Sequence, residues 1–218
     1  MNKIIDKLNV RINSFLCFIV LITLLFAACE SKKKVEIKNN AGIVVESYFV
    51  DKKRPEIKMG ISRKFYDDGN IAEVLNYDKN GVQNGEHTLY YPSGKIMRKE
   101  MIVNNKNNGK FISYYEDGNM EQEGKYKDNK MNGVWKTYSN DVKGALKYYA
   151  TFSDGKYNGL YKEYYPNGKL FAEGNKIQLT EDLDVYDGKV QVYDSLGNIS
   201  RVLTYESGKQ TNKEEIKK

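Results

Sequence analysis

Residues 110–133 read KFISYYEDGNMEQEGKYKDNKMNG, and the order of residue types in this stretch recurs along the chain. An aromatic-rich run ending at Tyr114-Tyr115 meets a polar turn containing Gly118. Met120 then opens a second run that includes Tyr126, and Asn132-Gly133 closes the unit. Glycine reaches positive φ without steric cost, which hairpin turns demand. The unit reads as two antiparallel strands of about seven residues each.

Six segments with this pattern begin at Lys64, Glu86, Lys110, Val134, Leu160 and Lys189. Their first turns carry Gly69, Gly94, Gly118, Gly144, Gly168 and Gly197, each followed two residues later by Ile71, Ile96, Met120, Leu146, Leu170 or Ile199. Eight residues beyond those glycines stand Tyr77, Ile102, Tyr126, Phe152 and Tyr205, and only the fifth unit departs, with Lys176 in that slot and Ile177 beside it. Gly85, Gly109, Gly133, Gly159 and Gly188, each preceded by Asn or Asp, read as the closing turns. Self-similarity at a near-constant period is the mark of a repeat array, whose units bury their apolar faces on their neighbours. With 18 tyrosines and only three prolines, the composition suits short strands better than helices, and the expected class is all-β.

The pairs Tyr90-Tyr91 with Gly94-Lys95, Tyr114-Tyr115 with Gly118, and Tyr164-Tyr165 with Gly168-Lys169, together with Asn132-Gly133-Val134-Trp135, resemble the MORN repeat in its bacterial variant form. The resemblance covers about residues 60 to 208. It implies successive antiparallel hairpins in one elongated, twisted sheet, and proteins carrying this variant are often labelled antitoxin-like. The fourth unit departs, with Ser139 after Tyr138 and a longer turn from Asn140 to Gly144, and the fifth carries an insertion, Leu179 to Asp187; both loops are expected to be irregular. The predicted organisation is a signal segment at 1–28, a lipidated cysteine and polar tether at 29–42, an opening strand or cap at 43–63, six repeats at 64–208 and a frayed charged tail at 209–218.

The start of the chain sets the expected location. Lys3, Lys7 and Arg11 precede an apolar run from Phe15 to Phe26, and Ala27-Ala28-Cys29 follow at once. A dozen apolar residues fall short of the roughly 20 that span a bilayer, and the layout is that of a cleaved signal peptide. Leu25 to Cys29 resembles the lipobox of bacterial lipoproteins, which implies acylation of Cys29 and membrane residence through its lipid. Glu30 stands where Asp would imply inner-membrane retention, and Ser31-Lys32-Lys33-Lys34 lacks an acidic export run. The expected position is therefore the outer membrane, facing the periplasm.

Cleavage after residue 28 removes three of 35 basic and one of 29 acidic side chains, leaving a net charge of +4. The remaining charges are interleaved rather than gathered in a stripe, which speaks against nucleic acid as a partner. Cys17 leaves with the signal segment and Cys29 is the lipidation site, so no thiol remains for a disulfide or zinc. No cofactor or metal is expected.

Period-2 alternation separates the aromatic residues by face. His87, Phe111, Trp135 and Tyr161 share one side with Tyr91, Tyr115 and Tyr165, while Tyr90, Tyr114, Tyr138, Tyr164 and Tyr193 form a ladder on the other. The first set reads as packing and the ladder as a candidate binding surface for a protein or a cell-wall glycan, since Tyr offers a large flat ring at low entropic cost. His87, the one histidine, sits in the aromatic slot without a thiol partner. Glu121 and Glu123, two residues apart on one strand face, are the best candidate for paired-carboxylate hydrolysis, but solvated strand residues are the commoner arrangement. Asp182, Asp184 and Asp187 lack the alternation and terminal Glu of a calcium loop. The expected role is a lipid-anchored, non-enzymatic binding scaffold, the alternative being an immunity or antitoxin-type protein that neutralises a toxin.

Overall fold

A computed structural model describes residues 31–216; Cys29 and the signal segment lie outside them. The first strands are β1 (Lys32–Lys38), β2 (Val44–Asp51), β3 (Lys58–Phe65), β4 (Ile71–Tyr77), β5 (Gly85–Tyr90) and β6 (Ile96–Val103). The middle holds β7 (Lys106–Tyr114), β8 (Met120–Lys127), the two-residue β9 (Lys130–Met131), β10 (Gly133–Tyr138) and β11 (Leu146–Ser153). The chain continues with β12 (Lys156–Tyr164), β13 (Leu170–Thr180), β14 (Leu183–Tyr193), β15 (Ile199–Glu206) and β16 (Lys209–Glu215). All belong to one 16-stranded sheet in sequence order, with β9 paired only to β8. Every pairing is antiparallel. The all-β array of successive hairpins is the fold expected from the repeat.

Two kinds of turn alternate. At one edge, loops such as 91–95 close with Gly94 N–H donating to the Tyr91 carbonyl at 2.8 Å and Tyr91 N–H to the Lys95 carbonyl at 2.8 Å. The other edge differs from expectation. Gly109, Gly159 and Gly188 lie inside strands, and Gly85 and Gly133 open them; β4 turns into β5 at Asp78 to Val82 and β13 into β14 at Glu181-Asp182, and the reversals at Asn104-Asn105, Asp128-Asn129, Asp154-Gly155 and Ser207-Gly208 have positive φ at both positions. Two consecutive positive φ values make the two-residue turn whose twist matches its flanking strands, and Asn and Asp tolerate that conformation.

The Asn-Gly steps are kinks. Glu100 pairs with Phe111 while Ile102 pairs with Asn107, so β7 holds two more residues than β6 between those pairs, and Gly109 takes a φ of 128° to absorb them. A β-bulge of this kind bends the strand locally. Two residues after each kink glycine stands a buried side chain: Ser62, His87, Phe111, Trp135, Tyr161 and Val190. The bulges thereby aim one residue per repeat into the core row.

The core lies on one face of the sheet and is built by neighbouring rows covering each other. Trp135, only 2% exposed, sits over Gly124 and donates its indole N–H to the Lys125 carbonyl at 3.1 Å. A ring row runs Phe111–Trp135–Phe152–Tyr157–Tyr161–Tyr186–Tyr205 with centroids 4.5 to 6.5 Å apart. Aromatic pairs at such separations stabilise beyond their buried area. In the fifth unit the Lys176 ammonium takes the vacant aromatic place, 4.1 Å from the Tyr161 ring centroid and 5.3 Å from those of Tyr157 and Tyr186, with Asp184 at 2.8 Å.

The ends also differ from expectation. The segment expected as a tether pairs with β2 as β1, and most of the expected frayed tail pairs with β15 as β16. An exposed sheet edge presents unpaired N–H and C=O groups, and a following polar segment gains by pairing with them. Lysines and glutamates on β1 and β16 then guard the outer edges. The fifth-unit insertion is no irregular loop either: it lengthens β13 and β14 to 11 residues each, joined at Glu181-Asp182.

Candidate functional site: the tyrosine face

The ladder tyrosines stand at the end of each first strand, and each pairs across the hairpin with an aliphatic side chain. The partners are Tyr90 with Ile96, Tyr114 with Met120, Tyr138 with Leu146, Tyr164 with Leu170 and Tyr193 with Ile199. A register shift follows at every one of these pairs, so the apolar residue two places after each turn glycine is delivered opposite a tyrosine. The result is a stripe of alternating rings and aliphatic groups, with all five rings half-buried.

The next tyrosine in sequence ties repeats together. Tyr66 Oη–H donates to the Tyr90 carbonyl at 2.6 Å, Tyr91 to Tyr114 at 2.8 Å, Tyr115 to Tyr138 at 2.9 Å and Tyr165 to Tyr193 at 2.9 Å. In the fourth unit Ser139 replaces this tyrosine, and its hydroxyl accepts from Asp141 N–H within its own turn. The backbone of four ladder positions is thus held by the preceding repeat. Burial, with nearby carboxylates, raises the pKa of Tyr91 and Tyr115, which keeps these hydroxyls protonated as donors.

The ladder hydroxyls divide into two groups. Tyr138 donates to Glu123 at 2.8 Å and Tyr193 to Glu173 at 2.7 Å. Each glutamate also meets a lysine, Lys136 at 3.0 Å and Lys162 at 2.7 Å, and the lysine and then the tyrosine hold each carboxyl below its ordinary range. Desolvation, helped by Glu173, pushes Tyr193 up to about 12. Among the described residues the hydroxyls of Tyr90, Tyr114 and Tyr164 have no hydrogen-bond partner in the protein. Three rings fixed by their strands therefore present an unused donor and acceptor.

The other sequence candidates separate. Glu121 is the unpaired residue of the bulge between the Ser113–Gln122 and Tyr114–Met120 pairs; its charge acts on Tyr91 and Tyr115, while Glu123 is taken by Lys136 and Tyr138. The two carboxylates do not form one working pair, because the bulge breaks the even alternation. Asp184 pairs with Lys176, and Asp187 accepts from Ser207 N–H at 2.9 Å, so the insertion's acids serve different hairpins. No group of three or more His, Cys, Asp or Glu able to hold a metal occurs among the described residues.

His87 is buried in the core row. Its Nδ1 lies 2.8 Å from Glu100 and its Nε2 2.9 Å from Glu73; with both carboxylates ionised, both contacts form only when the ring carries two N–H groups. Asn107 supports Glu100 at 3.0 Å. The His87 bond, stronger than the opposing effect of burial, holds Glu100 below its ordinary range; burial alone would raise Glu73, but Lys64 and His87 outweigh it. This network has no nucleophile and is a buried electrostatic tie. Sequence spacing identifies the His87 slot but not its carboxylates, which arrive from neighbouring strands.

The family described as MORN repeat variant matches residues 60–79, 83–104, 107–128 and 157–175. These segments contain most of the hairpins β3–β4, β5–β6, β7–β8 and β12–β13, whereas β10–β11, the hairpin with Ser139 and the long turn, is unmatched although it keeps the same pairing. Those four segments therefore match variant MORN repeats, and the sheet extends beyond them. No curated protein matches the chain.

Proposed function

We propose that this chain is a lipid-anchored, non-enzymatic scaffold of the cell envelope that holds a protein or cell-wall glycan on its tyrosine face. The observation that carries the reading is the free hydroxyl of Tyr90, Tyr114 and Tyr164 on rings fixed by their strands, the first two also tied at the backbone by the preceding repeat. Such rings lose little freedom when a partner docks, and preordering of this kind favours binding. Membrane attachment rests on the lipobox-like Leu25 to Cys29, and an outer-membrane, periplasm-facing position on Glu30 and the lysines after it. No helix among the described residues is long and apolar enough to cross a membrane, and a diacylated cysteine supplies attachment without one.

Crosslinking and affinity capture from envelopes tests the surface, comparing the wild-type protein with a Tyr114→Ala, Tyr164→Ala double variant. Loss of the captured partner from the variant is expected; an unchanged partner set would refute the tyrosine face as the contact. One toxin-like polypeptide captured at one-to-one stoichiometry would identify an immunity role instead. Mass spectrometry of the mature N-terminus checks the anchor, the expected result being an acylated Cys29.

A further inference from the structure

The face that bears the tyrosine stripe also holds a groove of about 550 Å³ between β8 and β10, lined among others by Lys110, Glu123, Lys125, Val134 and Lys136. It opens where the two strands splay. Lys136 pairs with Glu123 and Thr137 with Gln122, and beyond them Gly133 kinks β10 away from Lys125.

The charges in the groove are unbalanced. Three ammonium groups meet one carboxylate, and that carboxylate is bonded by Lys136 and by the Tyr138 hydroxyl. Lys110 and Lys125 are direct cross-strand partners, both exposed, and neither has a carboxylate at ion-pair distance among the described residues. Like charges opposite each other on a strand pair are destabilising. Elsewhere on this face, glutamates meet lysines: Glu86 with Lys99 and Glu173 with Lys162.

We infer that Lys110, Lys125 and Lys136 form an anion-binding groove for a linear acidic polysaccharide, whose carboxylate or phosphate groups supply the ion pairs that Lys110 and Lys125 lack. Lys110 and Lys125 face each other on β7 and β8, and Lys99 on β6 and Lys136 on β10 flank them one row over, opposite Ile112 and Glu123, on strands roughly 4.8 Å apart. A staggered band of charges crossing four strands fits a chain laid over the face better than one compact headgroup. Val134 and Met101, 40% and 39% exposed, offer apolar contact for sugar rings beside the cations. The inference names the ligand class for the scaffold reading above and uses a separate row of side chains from the tyrosines.

The test is equilibrium binding of full-length protein in mild detergent to polygalacturonate, with neutral dextran and phosphatidylglycerol vesicles as comparisons. The wild type is expected to bind polygalacturonate with an affinity that falls as salt rises, and to ignore dextran. A Lys110→Gln, Lys125→Gln variant is expected to bind roughly tenfold more weakly or worse, the equivalent of about 1.4 kcal/mol, with an unfolding midpoint no lower than the wild type's because a repulsion has been removed. Equal binding by that variant, or tighter lysine-dependent binding to the vesicles, would overturn the inference. If the tyrosine double variant keeps its envelope partners while the lysine variant loses polygalacturonate, the groove stands and the tyrosine reading falls; the opposite pattern overturns the groove alone.

Discussion

Replacing Gly124 by alanine sets two effects of opposite sign against each other. Gly124 does not adopt positive φ, so its backbone accepts alanine, and an interior strand glycine is ordinarily about 0.5 to 1 kcal/mol less stable than alanine there. On conformational grounds alone Gly124→Ala would stabilise the sheet. A Cβ at this position, however, would lie 2.7 Å from Trp135 Cγ and closer still to Cδ2 and Cε2. The indole cannot give way freely: it is 2% exposed, packed between Phe111 and Phe152 rings, and tied to the Lys125 carbonyl. Overpacking a filled core costs about 1 to 3 kcal/mol, so the net expectation runs from about zero to roughly 2.5 kcal/mol of destabilisation. Urea unfolding followed by Trp135 fluorescence, the one tryptophan, reads this directly. In a Trp135→Leu background, followed by circular dichroism because the tryptophan is gone, Gly124→Ala should cost less, since neighbouring substitutions couple. A stabilising Gly124→Ala would refute the packing of indole over glycine as the core contact.

Tyr115→Phe should lower stability by about 0.5 to 1.5 kcal/mol by removing the bond to the Tyr138 carbonyl, whereas Tyr114→Phe, which loses no intramolecular bond, should leave the urea midpoint unchanged. Glu100 is held below its ordinary range when folded, so its contribution is present at neutral pH and lost as the pH falls through the folded-state value; Glu100→Gln should flatten the acid limb of a stability-against-pH profile and lower stability at pH 7. Lys176→Ala should destabilise by about 1 to 2 kcal/mol, since it empties a site among three rings and strips Asp184 of its partner; an unchanged melting temperature would show that the cation does not hold the fifth unit together.

Much of the architecture was legible because it is written locally. The turn at Gly94 needs only Tyr91 to Lys95 for its hydrogen bonds, and alternation along one strand places Phe111 and Tyr114 on opposite faces. The errors have a common source. The Asn-Gly steps share the composition of a hairpin turn, yet Gly109 absorbs extra residues inside β7, because Asn104-Asn105 already makes the reversal. The tether and the tail look unstructured by composition, and become strands because an unpaired sheet edge lies within reach. Glu121 and Glu123 look like neighbours until a bulge separates them.

The ordered recurrence of glycine, tyrosine and aliphatic residues was enough to establish the hairpin and the alternation of ring-bearing faces, since each depends on residues within one turn or one strand. The partners of those side chains were beyond it. Trp135 over Gly124, His87 between Glu73 and Glu100, Lys176 among three tyrosines, and Lys110 facing Lys125 all arise between strands, where bulge-shifted register, rather than spacing along the chain, decides which groups meet.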